Sequence, residues 1–273
     1  MAKSISSQVI ILLCALAFAG CNLEKNMLYY PDTYLPSQEV LAAQNLEFWP
    51  NGQDGYRGFK SKVKAGNKYK GTVVVFHGNA GSAADRAFYV NALVPLGYRV
   101  ILAEYPGYGG RKGELGEETF VQDAKETLRL ASEKNGAPVF LLGESLGCGV
   151  AASVAKEPPV RIDGMILITP WDTLLSVAKE HFPWLPVRLF LRDKYDTIRN
   201  LARYQGRIAV VGAEKDEVVP IKHAQTLFAS LPGDKKMWTI PGAGHNNWPD
   251  IVGPAWWQEI AAFMEGNNRY SAD

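Results

Sequence analysis

The sequence predicts one α/β domain in which helices cover both faces of a mostly parallel central sheet. Short apolar runs alternate with longer amphipathic segments, the order typical of β-α-β units. A serine flanked by glycines also separates one of these runs from the next helical segment. Right-handed crossovers then place helices on both faces of the sheet. The strand-like runs lie near residues 72–76, 99–103, 138–142, 164–169, 207–211 and 236–240. The helix-like segments lie near residues 82–96, 117–135, 146–156, 222–231 and 252–265.

Local patterns support these elements. Residues 72–76 form a continuous apolar run, which predicts a strand buried on both faces. Residues 117–135 carry apolar side chains from Phe120 to Ala131 at helical spacing, and Gly136 ends this helix. The chain has 273 residues, of which 47% are hydrophobic, and that is enough for one large core in one domain.

A Gly-x-Ser-x-Gly sequence at residues 143–147 predicts a sharp turn that presents a serine hydroxyl. It follows the apolar run 139–142 and precedes a small-residue helical pattern, which is the setting of a nucleophile elbow. We expect side chains at positions 143 and 147 to collide with the neighbouring helix and strand. Ser145 is therefore the candidate nucleophile. The alternative is a glycine-rich turn with a solvated serine.

A nucleophilic serine needs a histidine base, and the chain has four histidines. His245 lies in a glycine-rich loop after the last predicted strand, from which its ring can reach the sheet edge. His181 and His223 lie in polar helical contexts, and we expect both at the surface. We expect His77 to brace the loop after strand 72–76 by hydrogen bonds rather than to act as a base. His245 is therefore the candidate base.

The candidate acid is Asp216, which follows the apolar run 208–211. That position is the carboxyl end of a strand, where catalytic groups collect in open α/β sheets. The chain order serine, acid, histidine also suits a nucleophile-elbow fold. The alternative is that Asp216 caps the helix that begins near Pro220. Asp172 is a second candidate acid, and we expect it instead to cap a helix at residues 172–175.

Two backbone amides are candidates for stabilising a developing oxyanion. One belongs to Leu146, directly after the nucleophile, and the other to Asn79, in the loop after strand 72–76. The glycines of that loop let its backbone approach a substrate carbonyl closely. Together with the three side chains above, these amides predict acyl transfer through a covalent intermediate.

Several motifs occur along the chain in a characteristic order. They are His77-Gly78-Asn79-Ala80-Gly81, Glu104-Tyr105-Pro106-Gly107-Tyr108-Gly109, the elbow, Asp216 with Val218-Val219-Pro220, Gly244-His245, and Met27-Leu28-Tyr29-Tyr30-Pro31. Over about residues 27–265 the chain resembles the α/β-hydrolase-fold serine hydrolases, and specifically their small-cap branch. That branch includes lysophospholipase-like, palmitoyl-protein-thioesterase-like and serine-aminopeptidase-like members. The resemblance implies an α/β-hydrolase fold that cleaves an acyl ester or thioester.

The least regular part of the predicted domain runs from residue 170 to residue 205. Phe182-Pro183-Trp184-Leu185-Pro186 interrupts it, and the apolar run Val187-Arg188-Leu189-Phe190-Leu191 follows. By resemblance, this insertion is a small cap that arches over the site and turns apolar side chains towards an acyl group. The alternative is a helical excursion packed on the core, which requires the same apolar residues.

The amino terminus predicts export and lipid attachment. Lys3 precedes the apolar run 9–18, which suits a signal-peptide core and is short for a membrane span. Ala19-Gly20-Cys21 resembles the lipobox of bacterial lipoproteins, which implies cleavage before Cys21 and lipid on its sulfur. The alternative is an ordinary secretory signal cut near Gly20. By resemblance, Asn22 favours the periplasmic face of the outer membrane.

We therefore expect a signal peptide at residues 1–20, a membrane-proximal tether at 21–41, and a hydrolase domain at 42–267 with its cap at about 170–205. Removal of the signal leaves Cys148 as the one cysteine beside the lipidated residue, so no structural disulfide is expected. We expect Cys148 to be a small buried residue where a helix meets the sheet.

Composition argues against several other classes of protein. The net charge of +1 indicates no preference for nucleic acid. The sequence has no histidine-cysteine cluster that would predict a metal site. We expect no cofactor, and a small-molecule acyl ester or thioester as the partner of the site; the oligomeric state stays open. One alternative is a peptidase of the same fold, with Glu104 or Asp172 recognising a peptide terminus. Another is a non-catalytic envelope lipoprotein that uses the fold to bind a partner.

Overall fold

An eight-stranded sheet forms the centre of the molecule. The computed structural model describes residues 24–62 and 68–266. The strands are β1 (Tyr30–Pro31), β2 (Leu46–Trp49), β3 (Gly58–Ser61), β4 (Gly71–Phe76), β5 (Ala80–Gly81), β6 (Tyr98–Ala103), β7 (Val139–Glu144), β8 (Gly164–Ile168), β9 (Arg207–Ala213) and β10 (Lys235–Ile240). β1 and β5 pair with each other, and the other strands form the central sheet in the order β10-β9-β8-β7-β4-β6-β3-β2.

The strands from β10 to β6 in this order are all parallel. β3 pairs antiparallel with β6, and β2 pairs antiparallel with β3 at the sheet edge. The predicted α/β fold with a mostly parallel sheet is therefore confirmed. The physical reason is that the central strands are continuous apolar runs, which suit burial on both faces.

Helices cover both faces of this sheet. They are α1 (Gln38–Ala43), α2 (Phe88–Leu93), α3 (Glu117–Asn135), α4 (Leu146–Lys156), α5 (Leu174–His181), α6 (Val187–Phe190), α7 (Thr197–Leu201), α8 (Ile221–Ser230), α9 (Trp248–Ile251) and α10 (Pro254–Glu265). Val74 and Phe76 of β4 face one apolar core, which includes residues of α3, α4 and α8. Val73 and Val75 face the other core, which includes residues of α1, α2 and α10.

The predicted helix at residues 82–96 is interrupted in the structure. It consists of a 3₁₀ turn at Ala83–Arg86, helix α2, and a second 3₁₀ turn at Val94–Leu96. Asp85 ties the first turn in place, because its carboxylate accepts a hydrogen bond of 2.8 Å from the backbone of Ser82. Pro95 has no N–H to donate, so the α-helical hydrogen-bond pattern ends there.

The leading segment, residues 24–41, belongs to the packed domain. After a helical turn at residues 24–28, β1 pairs with β5. Tyr29 is buried, its ring lies 5.2 Å from that of Phe120, and its hydroxyl contacts Asp193 and Tyr195. The packed domain therefore begins before residue 42, which corrects the predicted boundary between tether and domain. Burial of Tyr29 and backbone pairing hold this segment on the domain.

The predicted signal peptide, residues 1–20, and the candidate lipidation site Cys21 lie outside the described residues. Within residues 24–62 and 68–266, no helix is both long enough and apolar enough to cross a bilayer. Export and lipid attachment therefore remain predictions from the sequence.

Candidate active site

The predicted site residues meet at one edge of the sheet. Ser145 follows β7, Asp216 lies beyond β9, and His245 lies beyond β10. The loop that contains Asn79 follows β4, which neighbours β7. The carboxyl ends of parallel strands share one edge, so residues far apart in the chain converge there.

Ser145, His245 and Asp216 form a continuous chain of hydrogen bonds. Nε2 of His245 lies 3.1 Å from Oγ of Ser145. Nδ1 of the same ring lies 2.8 and 3.0 Å from the two carboxylate oxygens of Asp216. When Nδ1 carries a proton and donates a hydrogen bond to the carboxylate, the lone pair of Nε2 faces the serine hydroxyl. The arrangement can therefore remove a proton from Ser145.

Local backbone groups orient the Asp216 carboxylate. Its Oδ1 accepts hydrogen bonds from the backbone N–H groups of Val218, at 2.9 Å, and Val219, at 2.7 Å. These amides precede Pro220, which is the N-cap of α8 and makes no side-chain capping bond. Asp216 thus closes a local turn before the helix, and the helix-cap alternative is not observed.

The turn at Ser145 has the geometry of a nucleophile elbow. Ser145 has φ 51° and ψ −114°, a conformation that costs about 1–3 kcal/mol. Its N–H donates to the carbonyl of Ile168 at 2.9 Å. A Cβ at Gly147 would lie 1.9 Å from the carbonyl oxygen of Phe76, and one at Gly143 would lie 2.6 Å from that of Gly147. The predicted collisions with the adjacent strand and helix are therefore confirmed.

Both candidate oxyanion amides lie beside Ser145. Leu146 is the first residue of α4, where a backbone N–H has no acceptor within the helix. In the loop after β4, a Cβ at Gly78 would lie 3.7 Å from the Cβ of Ser145, and Asn79 follows directly. The Asn79 carbonyl accepts from the Tyr108 hydroxyl at 2.7 Å, which fixes this loop.

His77 braces the loop after β4, as predicted. Its side chain is buried, with Nδ1 donating to the carbonyl of Gly78 at 2.8 Å. Nε2 lies 3.0 Å from Oε1 of Glu104, and Oε2 of Glu104 accepts from the backbone of Ala83 at 2.9 Å. The hydroxyl of Tyr105 donates to the carbonyl of His77 at 2.8 Å. Both ring nitrogens are thus occupied away from Ser145.

His223 is buried, which corrects its expected surface position. Nδ1 of its ring lies 2.8 Å from Oδ1 of Asp172, and Nε2 lies 2.9 Å from Oε2 of Glu180. The sequence signal for burial is its spacing, because His223 lies four residues before the buried Leu227 on one face of α8. His181 is exposed, as expected, and its Nε2 donates to the carbonyl of Val218 at 2.7 Å.

Asp172 does not serve as the predicted helix cap. The N-cap of α5 is Thr173, whose hydroxyl accepts from the backbone of Ser176 at 3.0 Å. Asp172 accepts from the backbone of Thr173 at 2.8 Å and is paired with His223. Glu180, the other partner of His223, accepts hydrogen bonds from Lys222 and His223. Both bonds lower the pKa of Glu180, and the bond from Lys222 has the larger effect. Asp172 therefore holds α5 against α8 and has no contact with His245.

Glu144, inside the elbow, was not predicted as a structural residue. Its carboxylate accepts from Nε of Arg86 at 3.1 Å and from the hydroxyl of Tyr89 at 2.8 Å. Burial, followed by the charge of Glu144, raises the pKa of Tyr89 well above its usual value. These bonds tie the elbow to α2. The sequence does indicate this role, because Glu144 lies between an apolar strand and the serine. A carboxylate buried there needs hydrogen-bond or charged partners.

Cys148 packs where α4 meets the sheet. It is fully buried, and its Sγ lies 3.1 Å from the carbonyl oxygen of Gly143 and 3.2 Å from that of Ile168, either of which can accept from the thiol. Burial raises the pKa of this thiol. The expectation of a small buried residue is therefore confirmed.

A mostly apolar cavity of about 210 Å³ opens at Ser145. Asn79 also lines it, and Glu24 is the charged carboxylate in its wall. The remaining lining is Met27, Leu28, Trp171, Leu174, Val177, Ala178, His181, Phe182, Leu185, Val187, Phe190, Leu191, Val218 and Val219. Most of these residues belong to the segment predicted as a cap. The segment at residues 170–205 therefore supplies most of the cavity wall.

Glu24 is already engaged by the protein backbone. Its carboxylate accepts hydrogen bonds from the amides of Arg192, at 2.9 Å, and Asp193, at 2.9 Å. Burial raises the pKa of Glu24. Among residues 24–62 and 68–266, no group of three His, Cys, Asp or Glu side chains could hold a metal ion.

Comparison with known proteins agrees with this architecture. A family model described as "Serine aminopeptidase, S33" matches residues 67–190. An uncharacterized protein of Mycobacterium tuberculosis is 32% identical over 235 residues, which span 84% of this chain and 82% of that protein. The lysophosphatidylserine lipase ABHD12 of Mus musculus is 26% identical over 200 residues, which span 66% of this chain and 50% of the lipase.

A solved structure shows the same fold. The Pyrococcus furiosus esterase Pf2001 matches with a TM-score of 0.66 at 15% identity, covering 88% of this chain and 97% of the esterase. The fold and the arrangement of its site define an α/β-hydrolase. The chain belongs to the α/β-hydrolase superfamily and is a hydrolase.

Proposed function

We propose that this protein is a serine hydrolase that cleaves an acyl ester or thioester through an acyl-enzyme intermediate. The observation that carries the proposal is the hydrogen-bond chain from Ser145 through His245 to Asp216, at 3.1 and 2.8 Å, at the base of an apolar cavity. A serine and a histidine at this separation form a nucleophile and its general base. The carboxylate on Nδ1 keeps the imidazole in the required tautomer.

The reaction takes place in two steps. In the first, Oγ of Ser145 attacks the carbonyl carbon while Nε2 of His245 takes the hydroxyl proton. The amides of Leu146 and Asn79 donate to the resulting oxyanion. The tetrahedral intermediate then expels the alcohol or thiol, which receives the proton from His245. In the second step, His245 takes a proton from water, the hydroxide attacks the acyl-enzyme, and Ser145 leaves with that proton.

The cavity supports an apolar acyl group as the part of the substrate held next to Ser145. Its wall is almost entirely aliphatic and aromatic, and burial of each methylene contributes about 0.8 kcal/mol. The name of the similar mouse protein, a lysophosphatidylserine lipase, supports an ester of this kind. An ester and a thioester would react by the same steps and differ only in the leaving group, which is an alcohol or a thiol.

The carboxylates considered for a peptidase have other partners. Glu104 is buried against His77, and Asp172 is paired with His223. Glu24 does line the cavity, yet backbone amides already occupy its oxygens. None of these three is free to hold the amino terminus of a peptide, so the ester hypothesis has the better support.

We further propose that lipid on Cys21 anchors the enzyme in the bacterial cell envelope, with the outer membrane favoured by Asn22. The support is the lipobox-like sequence Ala19-Gly20-Cys21. Each methylene of an attached acyl chain contributes about 0.8 kcal/mol to membrane binding. Cys21→Ser is expected to abolish labelling by a clickable palmitate analogue and to release the protein from membranes. Persistence of both would contradict lipid attachment at this residue.

A fluorophosphonate probe tests the catalytic proposal. The wild type is expected to become labelled, Ser145→Ala to remain unlabelled, and His245→Ala to react far more slowly. Gln225→Ala is the control, because this exposed residue of α8 lies outside both the hydrogen-bond chain and the cavity lining, and it is expected to react like the wild type. Equal labelling of wild type and Ser145→Ala would disprove the assignment.

Substrate comparison separates the remaining alternatives. Acyl esters and thioesters are expected to be hydrolysed, whereas aminoacyl amides are expected to be poor substrates. A preference for aminoacyl amides would favour the peptidase. A folded wild type that reacts with neither the probe nor any of these substrates would favour a non-catalytic binding role.

A further inference from the structure

Two large apolar side chains protrude from the segment that covers the cavity. Val187 and Phe190 of α6 turn inward and line the cavity. Leu189, between them, is 80% exposed, and Trp184, in the turn before α6, is 78% exposed. Large apolar side chains exposed to this degree beside a binding site mark an interaction surface. We define Trp184 and Leu189 as the outer cap face.

Two further residues join the cavity lining to the molecular surface. Met27, in the leading segment, lines the cavity and is 39% exposed. Val218, after Asp216, also lines the cavity and is 40% exposed. Apolar surface is therefore exposed both on the cap and in the wall of the cavity that it covers.

The described part of the chain begins at the wall of the cavity. Glu24 lines the cavity, and Cys21 is three residues earlier in the chain. An extended chain spans at most about 3.3–3.6 Å per residue, so three residues of chain can separate a lipid anchor from Glu24 by no more than about 11 Å. Acyl chains on Cys21 would consequently enter a bilayer beside the cavity.

The charges on this segment suit a membrane surface that carries anionic headgroups. Lys179 and Arg188 are exposed. The carboxylate of Glu180, on the same segment, is paired with Lys222 and His223. Exposed Lys and Arg next to Trp and Leu are typical of surfaces that lie at a bilayer interface, because cations contact phosphates while apolar side chains enter the acyl region.

We infer that the outer cap face docks on a lipid bilayer, with Trp184 and Leu189 inserted and the cavity opening beside the acyl region. The orientation rests on the proposed anchor at Cys21, whereas docking itself does not require catalysis. The substrate would then pass from the bilayer to Ser145 without crossing water. The bilayer is favoured over a second copy of the chain because the proposed anchor is only three residues from the cavity-lining Glu24, and the exposed cations Lys179 and Arg188 belong to the same segment as the outer cap face.

Trp184 provides a direct optical test. All seven tryptophans lie within the described residues, and Trp184 is the one that is mostly exposed. The full-length lipidated protein would be reconstituted into phosphatidylethanolamine–phosphatidylglycerol vesicles, with or without brominated acyl chains. We expect the bromine to quench part of the tryptophan emission, and Trp184→Phe to remove most of that quenching. Ser145→Ala should be quenched like the wild type, which separates docking from the catalytic proposal.

Substitution of the second side chain gives a matched comparison. Leu189→Ser is expected to reduce the bromine quenching of Trp184 at least twofold. Val40→Ser, an exposed aliphatic residue on α1, is expected to leave it unchanged. Wild type that floats with the vesicles but has the same emission with both lipids would overturn the docking. Failure to float would also overturn it, and fluorophosphonate labelling of that sample would show whether catalysis still holds.

A second copy of the chain is the competing occupant of this face. Size analysis in mild detergent distinguishes it, because Leu189→Ser would then convert a dimer into a monomer. A dimer of this kind, together with unquenched Trp184 in vesicles, would assign the outer cap face to self-association.

Discussion

Gly147 lies against the carbonyl oxygen of Phe76 so closely that a Cβ would approach that oxygen to 1.9 Å. This contact presses the start of α4 onto the end of β4. It brings the amide of Leu146 and the loop of Asn79 close to Ser145. The absence of a side chain at Gly147 therefore permits the close packing that forms the candidate oxyanion site.

Gly147→Ala is expected to destabilise the protein by about 1–3 kcal/mol or more and to reduce fluorophosphonate labelling strongly. The clash is with rigid backbone, so relief requires α4 and β4 to move apart. Urea unfolding and labelling rates measure the two effects. Gly253→Ala is the control, because a Cβ there would meet nothing within 4 Å. Equal effects of the two substitutions would contradict this explanation.

Asp216→Asn is expected to lower kcat by roughly 10⁴-fold while the fold is retained. The amide oxygen of Asn can still accept from Val218 and Val219, but it cannot stabilise the charged imidazolium. The matched comparison is Asp172→Asn, which weakens the second Asp–His pair at His223. Steady-state hydrolysis of a soluble ester should change less than about tenfold in that variant. Similar losses for both would mean that the Asp216 pair has no special role.

His77→Ala is expected to lower the free energy of unfolding by about 3–5 kcal/mol. The substitution leaves the fully buried carboxylate of Glu104 without its histidine partner. Equilibrium urea denaturation measures the loss. Gln225→Ala, at an exposed position of α8, should change stability by only about 0.5 kcal/mol or less. A stable His77→Ala variant that had lost only activity would instead assign His77 a catalytic role.

Ala178→Phe is expected to shift the preferred substrate towards shorter acyl chains, because Ala178 lines the cavity. In the wild type, kcat/KM should rise by about fourfold for each added methylene until the cavity is full, as about 0.8 kcal/mol per group requires. The variant should reach its plateau at a shorter chain. Ala202→Phe adds the same bulk at an exposed position and should retain the wild-type profile. A common plateau would show that the acyl chain lies elsewhere.

Local pattern was sufficient for the parallel sheet and for the three residues at its carboxyl edge. Continuous apolar runs predict buried strands, and parallel strands bring their carboxyl ends to one edge. Ser145, Asp216 and His245 each follow such a run, so their convergence did not require knowledge of the packing. The steric need for glycine at positions 143 and 147 could likewise be predicted, because it is a property of the turn itself.

Partners of buried charges could not be predicted in the same way. His223 is in a polar stretch of sequence, yet α8 packs against α5 and brings Asp172 and Glu180 to its two ring nitrogens. Glu144 acquires Arg86 and Tyr89 only because the 3₁₀ turn at Ala83–Arg86 and α2 pass beside the elbow. These contacts join elements distant in the chain, and the pattern of either element alone carries no information about the other.

The sequence by itself determined the fold class, the chain order of the candidate catalytic residues and the candidate lipid attachment at Cys21. Only the tertiary structure decided that the leading segment packs on the domain and that the cap residues enclose an apolar cavity. It also decided which apolar cap residues turn inward and which, like Trp184 and Leu189, remain exposed. The reason is that Phe190 and Leu189 are equally apolar in sequence, and their surroundings differ only after the chain has folded.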